Sequence, residues 1–377
     1  MFSFARHSKS KISNWWWTVD KVNFSVTLFL IFIGAMLVLS ASPSAAHRDR
    51  LADDFAFIKK QSVFIFAGLM LLVGISMQSL RTIRKLAIFG LFCAFIGVLL
   101  TYFVGDATKG AARWIKFAGF SLQPSEFVKP VFIVVTAWLL EASKKVDDFP
   151  GRGVASCLFV IVAGSVFFQP DLGMTVLITG VWCMQMIMAG IPVWIIVSMV
   201  VFGVILVSGS YLFLAHVRDR IDRFLATENE IGSQIQKSMD AFANGNLLGT
   251  GPGDGFVKMS LPDVHTDFIF ALAGEECGVW LTSVIVICFA IIVVRTMFVS
   301  MKDNNLFVMY SASGLAASLG GQAIVNMCSS LKLIPAKGMT LPFVSYGGSS
   351  MLASCIAMGM LLAITRKNAV AEDKDIK

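Results

Sequence analysis

Long apolar runs constrain this chain more than any other feature of its sequence. There are ten of them, near 22–41, 62–78, 86–104, 124–141, 154–168, 172–190, 194–215, 267–294, 306–328 and 343–365. Several approach or exceed the roughly 18 apolar residues that mark a membrane-spanning helix. Each run is continuous rather than alternating, which excludes a membrane β-barrel. The pattern predicts an all-α, polytopic integral membrane protein with about ten transmembrane helices.

Composition excludes the other broad classes of protein. Hydrophobic residues make up 56% of the 377 residues and charged residues only 15%, whereas about a quarter of an ordinary soluble domain is charged. A soluble enzyme, a disordered chain and a fibrous repeat are therefore excluded. No nucleotide-binding P-loop and no metal-binding motif occurs in the sequence. We expect the protein to be embedded in a membrane. We expect no nucleic-acid partner.

The polar segments divide the chain into three parts. We expect an N-terminal segment at 1–21, a membrane domain at 22–365 and a tail at 366–377. Lys and Arg are slightly more numerous on the face shared by both termini, which predicts that both termini are cytoplasmic. One long polar loop, 216–266, then lies outside the cytoplasm between the seventh and eighth spans. Three tryptophans, Trp15 to Trp17, precede the first span and are typical of an interfacial anchor, although a partner-binding role is an alternative.

Basic residues also occur on the predicted outer face, and they have two interpretations. They could hold an anionic ligand such as a lipid phosphate. Alternatively, the long loop is simply solvated, its basic residues paired with its own acids, and composition by itself favours this second interpretation. The acids of that loop nearest to its arginines are Asp219, Asp222, Glu228 and Glu230.

Ionisable residues near the ends of membrane spans are candidates for function because they are costly to bury there. Glu126 and Lys129 open the fourth span, and their spacing of three places them on one helix face. They form either a structural ion pair or part of a site, and the sequence leaves both possibilities open. Asp171 stands where another span begins, and this position favours a helix N-cap over a site role.

Asp267 is the last acid before the eighth span and lies beside His265 and Thr266. A carboxylate that is partly desolvated at the water–lipid boundary can act as a general base. The alternative is that Thr266 or Asp267 is an N-cap. Glu275 lies about 12 Å deeper along the same helix. We therefore do not expect Glu275 to touch the same reacting atom.

The segment 333–350 is rich in Gly, Pro and hydroxyl residues at the mouth of the last span. Irregular backbone at membrane depth must face protein or a wet cavity, because lipid cannot satisfy its polar groups. Lys337 in this segment could bind an anion. The segment is therefore a candidate wall of a binding site.

Taken together, these motifs resemble the SEDS family (shape, elongation, division and sporulation) of bacterial cell-wall synthesis. They follow in order as KGAARWI at 109–115, QPSE at 123–126, QPDLG at 169–173, HTDFIFA at 265–271 followed by GEE at 274–276, and PAKGMTLPF at 335–343 running into SYGGSS at 345–350. Order and spacing fit from about residue 22 to 365. The Trp-rich basic N-terminus is more similar to division members than to elongation members. The chain departs from the family pattern at Ala336 and over 326–330.

The resemblance implies a peptidoglycan glycosyltransferase that polymerises lipid II at the division septum. Asp267 matches the family's essential acid and would be the general base, with inversion at the sugar carbon. No residue is expected to be a dedicated metal ligand, although Asp267 and the substrate diphosphate could share a divalent cation (Mg or Mn). The expected substrate-binding residues are Arg218, Arg220, Arg223, Lys337, Glu126, Lys129, Lys109, Arg113, His265 and Ser345.

The resemblance also implies partners and a location. The expected partners are lipid II, a class B penicillin-binding protein that crosslinks the strands as a transpeptidase, and other division proteins. The expected location is the bacterial cytoplasmic (inner) membrane at the septum, with the active site on the periplasmic side. Two alternatives remain: a flippase that moves lipid II across the bilayer, and a non-catalytic division scaffold.

Overall fold

The computed structural model of the chain describes most of its length. The described residues are 11–48, 52–104, 106–108, 111–117, 120–169, 171–213, 218, 234–334 and 338–366. Their α-helices, in chain order, are α1 (Lys11–Thr18), α2 (Lys21–Arg48), α3 (Ala56–Ser76), α4 (Leu80–Val104), α5 (Pro124–Lys145), α6 (Gly151–Phe168), α7 (Leu172–Met188), α8 (Val193–Phe213), α9 (Gln234–Gly245), α10 (Ile269–Met301), α11 (Leu306–Ser330) and α12 (Gly348–Ile364).

The prediction of a mostly helical protein with many apolar helices is confirmed. Each of the ten predicted segments overlaps one of the helices α2 to α8 or α10 to α12. Five of these, α2, α3, α4, α6 and α10, are long and apolar enough to cross a membrane, and α7 and α12 are shorter apolar helices. Large apolar side chains such as Phe89, Phe92 and Phe103 on α4 are exposed. A water-soluble surface rarely carries such a concentration of them, so these faces suit lipid.

The predicted all-α class is wrong for the segment between α4 and α5. Three short strands there form an antiparallel sheet in the order β1 (Asp106–Thr108), β2 (Ala111–Phe117), β3 (Phe120–Leu122). Trp114 pairs with Asp106, and Ile115 pairs with Leu122. Aromatic and β-branched residues favour strands, and in β2 they are flanked by Gly110 and Gly119. This segment lies between the predicted third and fourth spans, and no strand was predicted there.

Helix α5 is the centre of the bundle, where it packs against α4, α6, α7, α11 and α12. Its buried residues run from Pro124 to Glu141 and include three charged side chains, Glu126, Lys129 and Glu141. Glu141 pairs with Arg84 of α4 at 3.0 Å and with Lys145 at 2.6 Å. The charges inside the bundle are therefore compensated, as buried charges must be.

Helix α10 begins beside the candidate base and is kinked at Gly278, whose φ is 68° and ψ is −166°. A Cβ at this glycine would lie 2.4 Å from the Leu247 carbonyl oxygen, so only glycine fits. The carboxylate of Glu275 accepts hydrogen bonds from the backbone N–H groups of Val257 and Lys258, at 2.7 and 3.1 Å. Glu275 therefore fastens the segment before α10 to the helix.

Candidate active site

One cavity of about 440 Å³ brings together three of the charged residues singled out by the sequence, Asp267, Glu126 and Arg113. Its charged lining residues are Lys60, Arg113, Glu126, Asp263 and Asp267. The remaining described lining residues are Phe64, Trp114, Ser121, Gln123, Thr266, Gly338, Thr340, Tyr346, Gly347, Gly348 and Ser350. They come from α3, the small sheet, the start of α5, the turn before α10 and the segment before α12. Residues more than 200 positions apart in the sequence thus line the same cavity.

Asp267 lies in a tight turn just before α10. The backbone N–H groups of Thr266 and Asp267 both donate to the Asp263 carbonyl at 3.1 Å. Asp263 has a φ of 52°, in the left-handed region that an aspartate tolerates better than most residues. The N-cap of α10 is Phe268, so the N-cap interpretation of Thr266 and Asp267 is wrong. The turn instead directs the half-buried Asp267 into the cavity.

The turn that carries Asp267 is bonded to the segment before α12. The side-chain amide of Asn326 donates to the Asp267 carbonyl at 2.8 Å and to the Met339 carbonyl at 2.7 Å. The Ser345 hydroxyl donates to the Thr266 carbonyl at 2.6 Å. The Tyr346 N–H donates to the His265 carbonyl at 2.8 Å. These bonds fix the backbone on both sides of the candidate base.

Gly338 forms part of the wall next to the Asp267 carboxylate. Its φ of 62° suits glycine, and a Cβ built there would lie 3.6 Å from Asp267 Oδ2. This is ordinary contact distance, so the wall follows the carboxylate closely without covering it. The glycine therefore leaves room for a substrate group beside the carboxylate.

Glu126 belongs to a buried polar network at the base of the cavity. Lys129 Nζ donates to Glu126 Oε2 at 2.7 Å and to Gln322 Oε1 at 2.5 Å. Gln322 Nε2 donates to the Thr340 carbonyl at 2.9 Å, and the hydroxyls of Thr340 and Ser350 are 2.5 Å apart. The predicted Glu126–Lys129 pair therefore forms. It is structural and also contributes Glu126 to the cavity wall.

Arg113 reaches the cavity from strand β2, and its guanidinium is bonded to residues outside the cavity lining. Its Nε donates to the Gln169 carbonyl at 3.0 Å, and its Nη1 lies 3.5 Å from Asp171 Oδ2. Asp171 also accepts from the Met174 N–H at 3.2 Å, so the predicted N-cap of α7 is confirmed. The QPDLG motif thus positions a cavity cation through a capping aspartate.

Lys59 and Lys60 are adjacent in the chain but differ in their surroundings. Lys59 donates to Asp53 Oδ2 at 2.7 Å, and this hydrogen bond is the main reason that the pKa of Asp53 lies below its ordinary value. Lys60, on the next position of α3, lines the cavity. Only the second lysine is placed to meet a bound anion.

The predicted substrate-binding residues fall into four groups. Glu126 and Arg113 line the cavity with Asp267. Lys129, His265 and Ser345 lie behind its wall: Lys129 bonds Glu126, Ser345 bonds Thr266, and the His265 ring packs between Phe57 and Tyr346. Arg218 is exposed, with its guanidinium 5.9 Å from the Tyr211 ring. Four others lie outside the described residues: Lys109, Arg220, Arg223 and Lys337.

Sequence reasoning missed several lining residues. Lys60 received no site role because no motif surrounds it. Gln123, Thr340 and Ser350 lie inside motifs that were recognised, so their positions were marked although their roles were not. Trp114 also lies in a recognised motif, on a strand that was not predicted. Within the part of the chain that the structure describes, no three His, Cys, Asp or Glu residues cluster in a way that could hold a metal ion.

The arrangement suits an anionic substrate that must lose a proton. Two cations, Lys60 and Arg113, line the same cavity as the Asp267 carboxylate, together with Glu126 and Asp263. Helices α5 and α12 both begin at the cavity wall, and a helix N-terminus favours negative charge. Cations and helix ends can offset an anion on one side while Asp267 accepts a proton on the other.

Comparison with known proteins agrees with this architecture. The profile of the FtsW/RodA/SpoVE family, described as cell cycle proteins, matches residues 21–370. A relative from Caulobacter vibrioides (strain NA1000 / CB15N), named "Probable peptidoglycan glycosyltransferase FtsW", is 40% identical over 368 residues, which is 97% of this chain and 94% of the relative. A relative of the same name from Geobacter metallireducens is 34% identical, over 92% of this chain and 95% of its own length.

Two solved structures share the fold. One, from a study of how a peptidoglycan synthase complex coordinates polymerization and crosslinking, has a TM-score of 0.78 at 24% identity and covers 92% of this chain and 97% of that one. The other is the rod shape determining protein RodA of Thermus thermophilus, with a TM-score of 0.65 at 23% identity, covering 93% of this chain and 97% of that one. The family profile and the curated relatives span nearly the whole chain. The chain therefore belongs to the FtsW/RodA/SpoVE family of membrane proteins, the SEDS family whose motifs its sequence carries.

Proposed function

We propose that this chain is a peptidoglycan glycosyltransferase that polymerises lipid II at the division septum, with Asp267 as the general base. In the reaction, the 4-hydroxyl oxygen of one GlcNAc forms a bond to C1 of the MurNAc on a lipid-linked strand. The bond from C1 to the diphosphate oxygen breaks with inversion, and undecaprenyl diphosphate leaves. The hydroxyl proton passes to the Asp267 carboxylate. One observation carries the proposal: Asp267, Glu126, Arg113 and Lys60 line a single cavity.

The position of Asp267 supports its role as the base. General-base catalysis requires a carboxylate within hydrogen-bonding reach of the attacking hydroxyl. The Asn326 and Ser345 side chains hold the backbone carbonyls of Asp267 and Thr266, so the carboxylate needs little reorganisation when substrate binds. Such preorganisation accounts for much of an enzyme's rate enhancement. Glu275, by contrast, bonds the backbone at Val257 and Lys258 and is not needed for this step.

The cations of the cavity would offset the diphosphate. Lys60 and Arg113 line the cavity directly, and the Arg113 guanidinium is held by Gln169 and Asp171. The N-terminal N–H groups of α12, which begins at Gly348 in the wall, add a further partial positive charge. Charges aimed at a leaving group in a site of low dielectric are worth more than in water.

The remaining predicted binding residues complete the proposed site. His265, Ser345 and Lys129 would act by supporting the wall rather than by touching the sugar. Arg218 and four residues beyond the described part of the chain would contribute further positive charge around the lipid headgroup. Those four are Lys109, Arg220, Arg223 and Lys337.

We propose that all ten long helices, α2 to α8 and α10 to α12, cross the bilayer, with both termini in the cytoplasm. The segment 1–21 and the tail 366–377 would then be cytoplasmic, and the membrane domain 22–365 would carry the loop 216–266 into the periplasm. The cavity lies at the ends of α5, α10 and α12 that this topology places outside. Glu126 and Lys129 occupy the first two turns of α5, which is not the midplane position that transport would use.

We propose that a class B penicillin-binding protein is the partner that crosslinks the strands, alongside other division proteins. The similar fold with a TM-score of 0.78 comes from a complex that couples polymerization to crosslinking. In this chain, the segment between α9 and α10 exposes Leu247, Leu248, Phe256 and Met259. Large apolar side chains at the bilayer edge suit contact with another protein.

A divalent cation, Mg or Mn, is proposed as a participant shared between Asp267 and the substrate diphosphate. Since the described residues offer no cluster of three or more metal-binding side chains, the diphosphate oxygens would have to provide most of the ligands. Bound there, the cation would offset the charge of the leaving group, as Lys60 and Arg113 do.

The experiment that tests the proposal follows labelled lipid II in two assays. Purified protein, with and without a penicillin-binding partner, is assayed for glycan strands by gel and for lipid II movement across vesicle membranes. We expect the protein to make glycan strands, and we expect the protein without its partner not to move lipid II across the membrane. Lipid II movement without strands would establish the flippase alternative. Neither activity, even with the partner present, would leave only the scaffold role and would overturn the proposal.

A further inference from the structure

Two further cavities lie where α1 joins α2, at the end of the molecule opposite the Asp267 cavity. One, of about 400 Å³, is lined by Trp17, Lys21 and Thr365 among others. The other, of about 580 Å³, runs along α10 and ends at Lys302. Val22, Arg295 and Val299 line both. The two cavities are therefore adjacent, and the wall of the second is almost wholly apolar.

The cavity of about 400 Å³ lies at the level where a membrane surface would be. Trp15 of α1 is buried and donates from Nε1 to the Ser76 hydroxyl at the end of α3, at 2.9 Å. Trp17 is exposed, and Lys21 Nζ lies 4.6 Å from the centre of its ring. Tryptophans at a bilayer surface mark the headgroup region. Lys21 thus stands where a lipid phosphate would be.

The charges around the two cavities are unbalanced. Lys21, Arg295 and Lys302 line them, and Asp20 is the single acid among the described lining residues, so their net charge is +2. Asp20 is already committed: it accepts from Arg295 Nε at 2.8 Å and from the Val22 N–H at 3.0 Å. Both lysines are exposed, Lys21 in the first cavity and Lys302 at the end of the second. An anion is the ligand that complements this charge.

The apolar groove matches an acyl chain in length. Ile287, Ile291, Val294 and Phe298 form one exposed stripe along α10. The stripe spans 12 residues of helix, or about 16 Å. This is close to half of a hydrocarbon core about 30 Å thick, so the groove reaches from the headgroup level to about the bilayer midplane.

We propose that this composite site binds one anionic glycerophospholipid of the leaflet that faces the N-terminus. Its phosphate lies by Lys21, Arg295 and Lys302, and one acyl chain lies along the α10 stripe. No residue of the Asp267 cavity lines this site, so the proposed lipid binding is independent of the proposed glycosyltransferase activity.

The test is a lipid titration of the full-length protein after delipidation in detergent, read by native mass spectrometry. The probes are phosphatidylglycerol and phosphatidylcholine with identical acyl chains. Each basic residue near a lipid phosphate contributes about fivefold in affinity. We expect the wild type to bind phosphatidylglycerol at least about fivefold more tightly than phosphatidylcholine, and Lys21→Gln/Lys302→Gln to abolish this preference. Equal binding of both lipids by the wild type would overturn the proposal.

Two further variants make the test specific. Lys85→Gln/Lys144→Gln removes two exposed lysines near the same end of the bundle but away from the groove, and it should keep the preference. Ala290→Trp narrows the groove without changing any charge and should weaken the binding of both lipids severalfold. Loss of the preference in the Lys85 and Lys144 variant would show a general charge effect and contradict a built site. Unaltered lipid binding by Ala290→Trp would show that the groove does not hold an acyl chain and would overturn that part of the proposal.

Discussion

The side-chain amide of Asn326 donates a 2.8 Å hydrogen bond to the backbone carbonyl of Asp267. The same amide donates to the Met339 carbonyl at 2.7 Å, and Asn326 is almost completely buried. A buried residue near the end of α11 thus joins the turn carrying the candidate base to the segment that forms the neighbouring wall. Asn326 is a candidate positioning residue, because it bonds the backbone of the candidate base and does not line the cavity.

Replacing Asn326 should therefore lower turnover more than substrate binding. Asn326→Leu leaves two buried carbonyls without a donor, at a cost of about 1–3 kcal/mol each. We expect kcat to fall at least tenfold, KM to change little, and the thermal midpoint to drop. Asn326→Asp keeps the volume but faces two acceptors with another acceptor, so it should be at least as damaging. Full activity of Asn326→Asp would contradict the positioning role.

Lys60 and Lys59 offer a matched pair for the diphosphate contact. Lys60→Gln removes a cavity cation and should raise KM for lipid II roughly tenfold, since a hydrogen bond to a charged group is worth about 1.5–3 kcal/mol. Lys59→Gln removes the neighbouring charge, which is bonded to Asp53 at 2.7 Å, and should change KM by less than about twofold. Steady-state strand synthesis over a range of lipid II concentrations measures both. Equal effects of the two substitutions would show that Lys60 acts only through general charge.

The buried Glu126–Lys129 pair predicts a non-additive effect on stability. Lys129→Met leaves the Glu126 carboxylate buried without its cation, which should cost about 3–5 kcal/mol in the free energy of unfolding. Adding Glu126→Gln removes the stranded charge and should restore most of that loss. Thermal unfolding in detergent reports both values. A double variant no more stable than Lys129→Met would mean that the pair is not energetically coupled.

The proposed shared cation predicts different effects of chelation on activity and on stability. Removing divalent cations should stop strand synthesis, and millimolar Mg²⁺ or Mn²⁺ should restore it. The thermal midpoint of the substrate-free protein should not respond to either treatment, because the described residues lack a three-ligand cluster. Strand synthesis that persists in excess chelator would eliminate the cation from the mechanism. A midpoint that rises on adding Mg²⁺ alone would instead indicate a site formed by the protein.

The sequence predicted the helical segments well because their signal is local. Each apolar run overlaps a helix, and the N-cap role of Asp171 followed from its position at a helix start. The segment 106–122 was mispredicted because its strands are short and depend on pairing with one another, as Trp114 does with Asp106. Pairing of this kind is set by tertiary structure rather than by local pattern.

The site was only partly predictable for a related reason. Asp267 and Glu126 were found because a charge near a membrane span is unusual, whereas Arg113 was found only through the family resemblance. Lys60 was missed because it lies among other charges at a helix end, where an exposed lysine is ordinary. His265 and Ser345 were assigned to substrate, whereas the structure shows them bonded or packed behind the wall. Proximity in a motif does not distinguish a side chain that faces a cavity from one that supports it.

The central claim is that Asp267 is the base, and strand synthesis by Asp267→Asn tests it most directly. Asp240→Asn makes the same chemical change at an exposed position on α9 and serves as the control. We predict that Asp267→Asn lowers strand synthesis by at least about 100-fold, while its thermal midpoint and lipid II binding match the wild type and Asp240→Asn remains active. Strand synthesis by a folded Asp267→Asn protein at the wild-type rate would contradict the account.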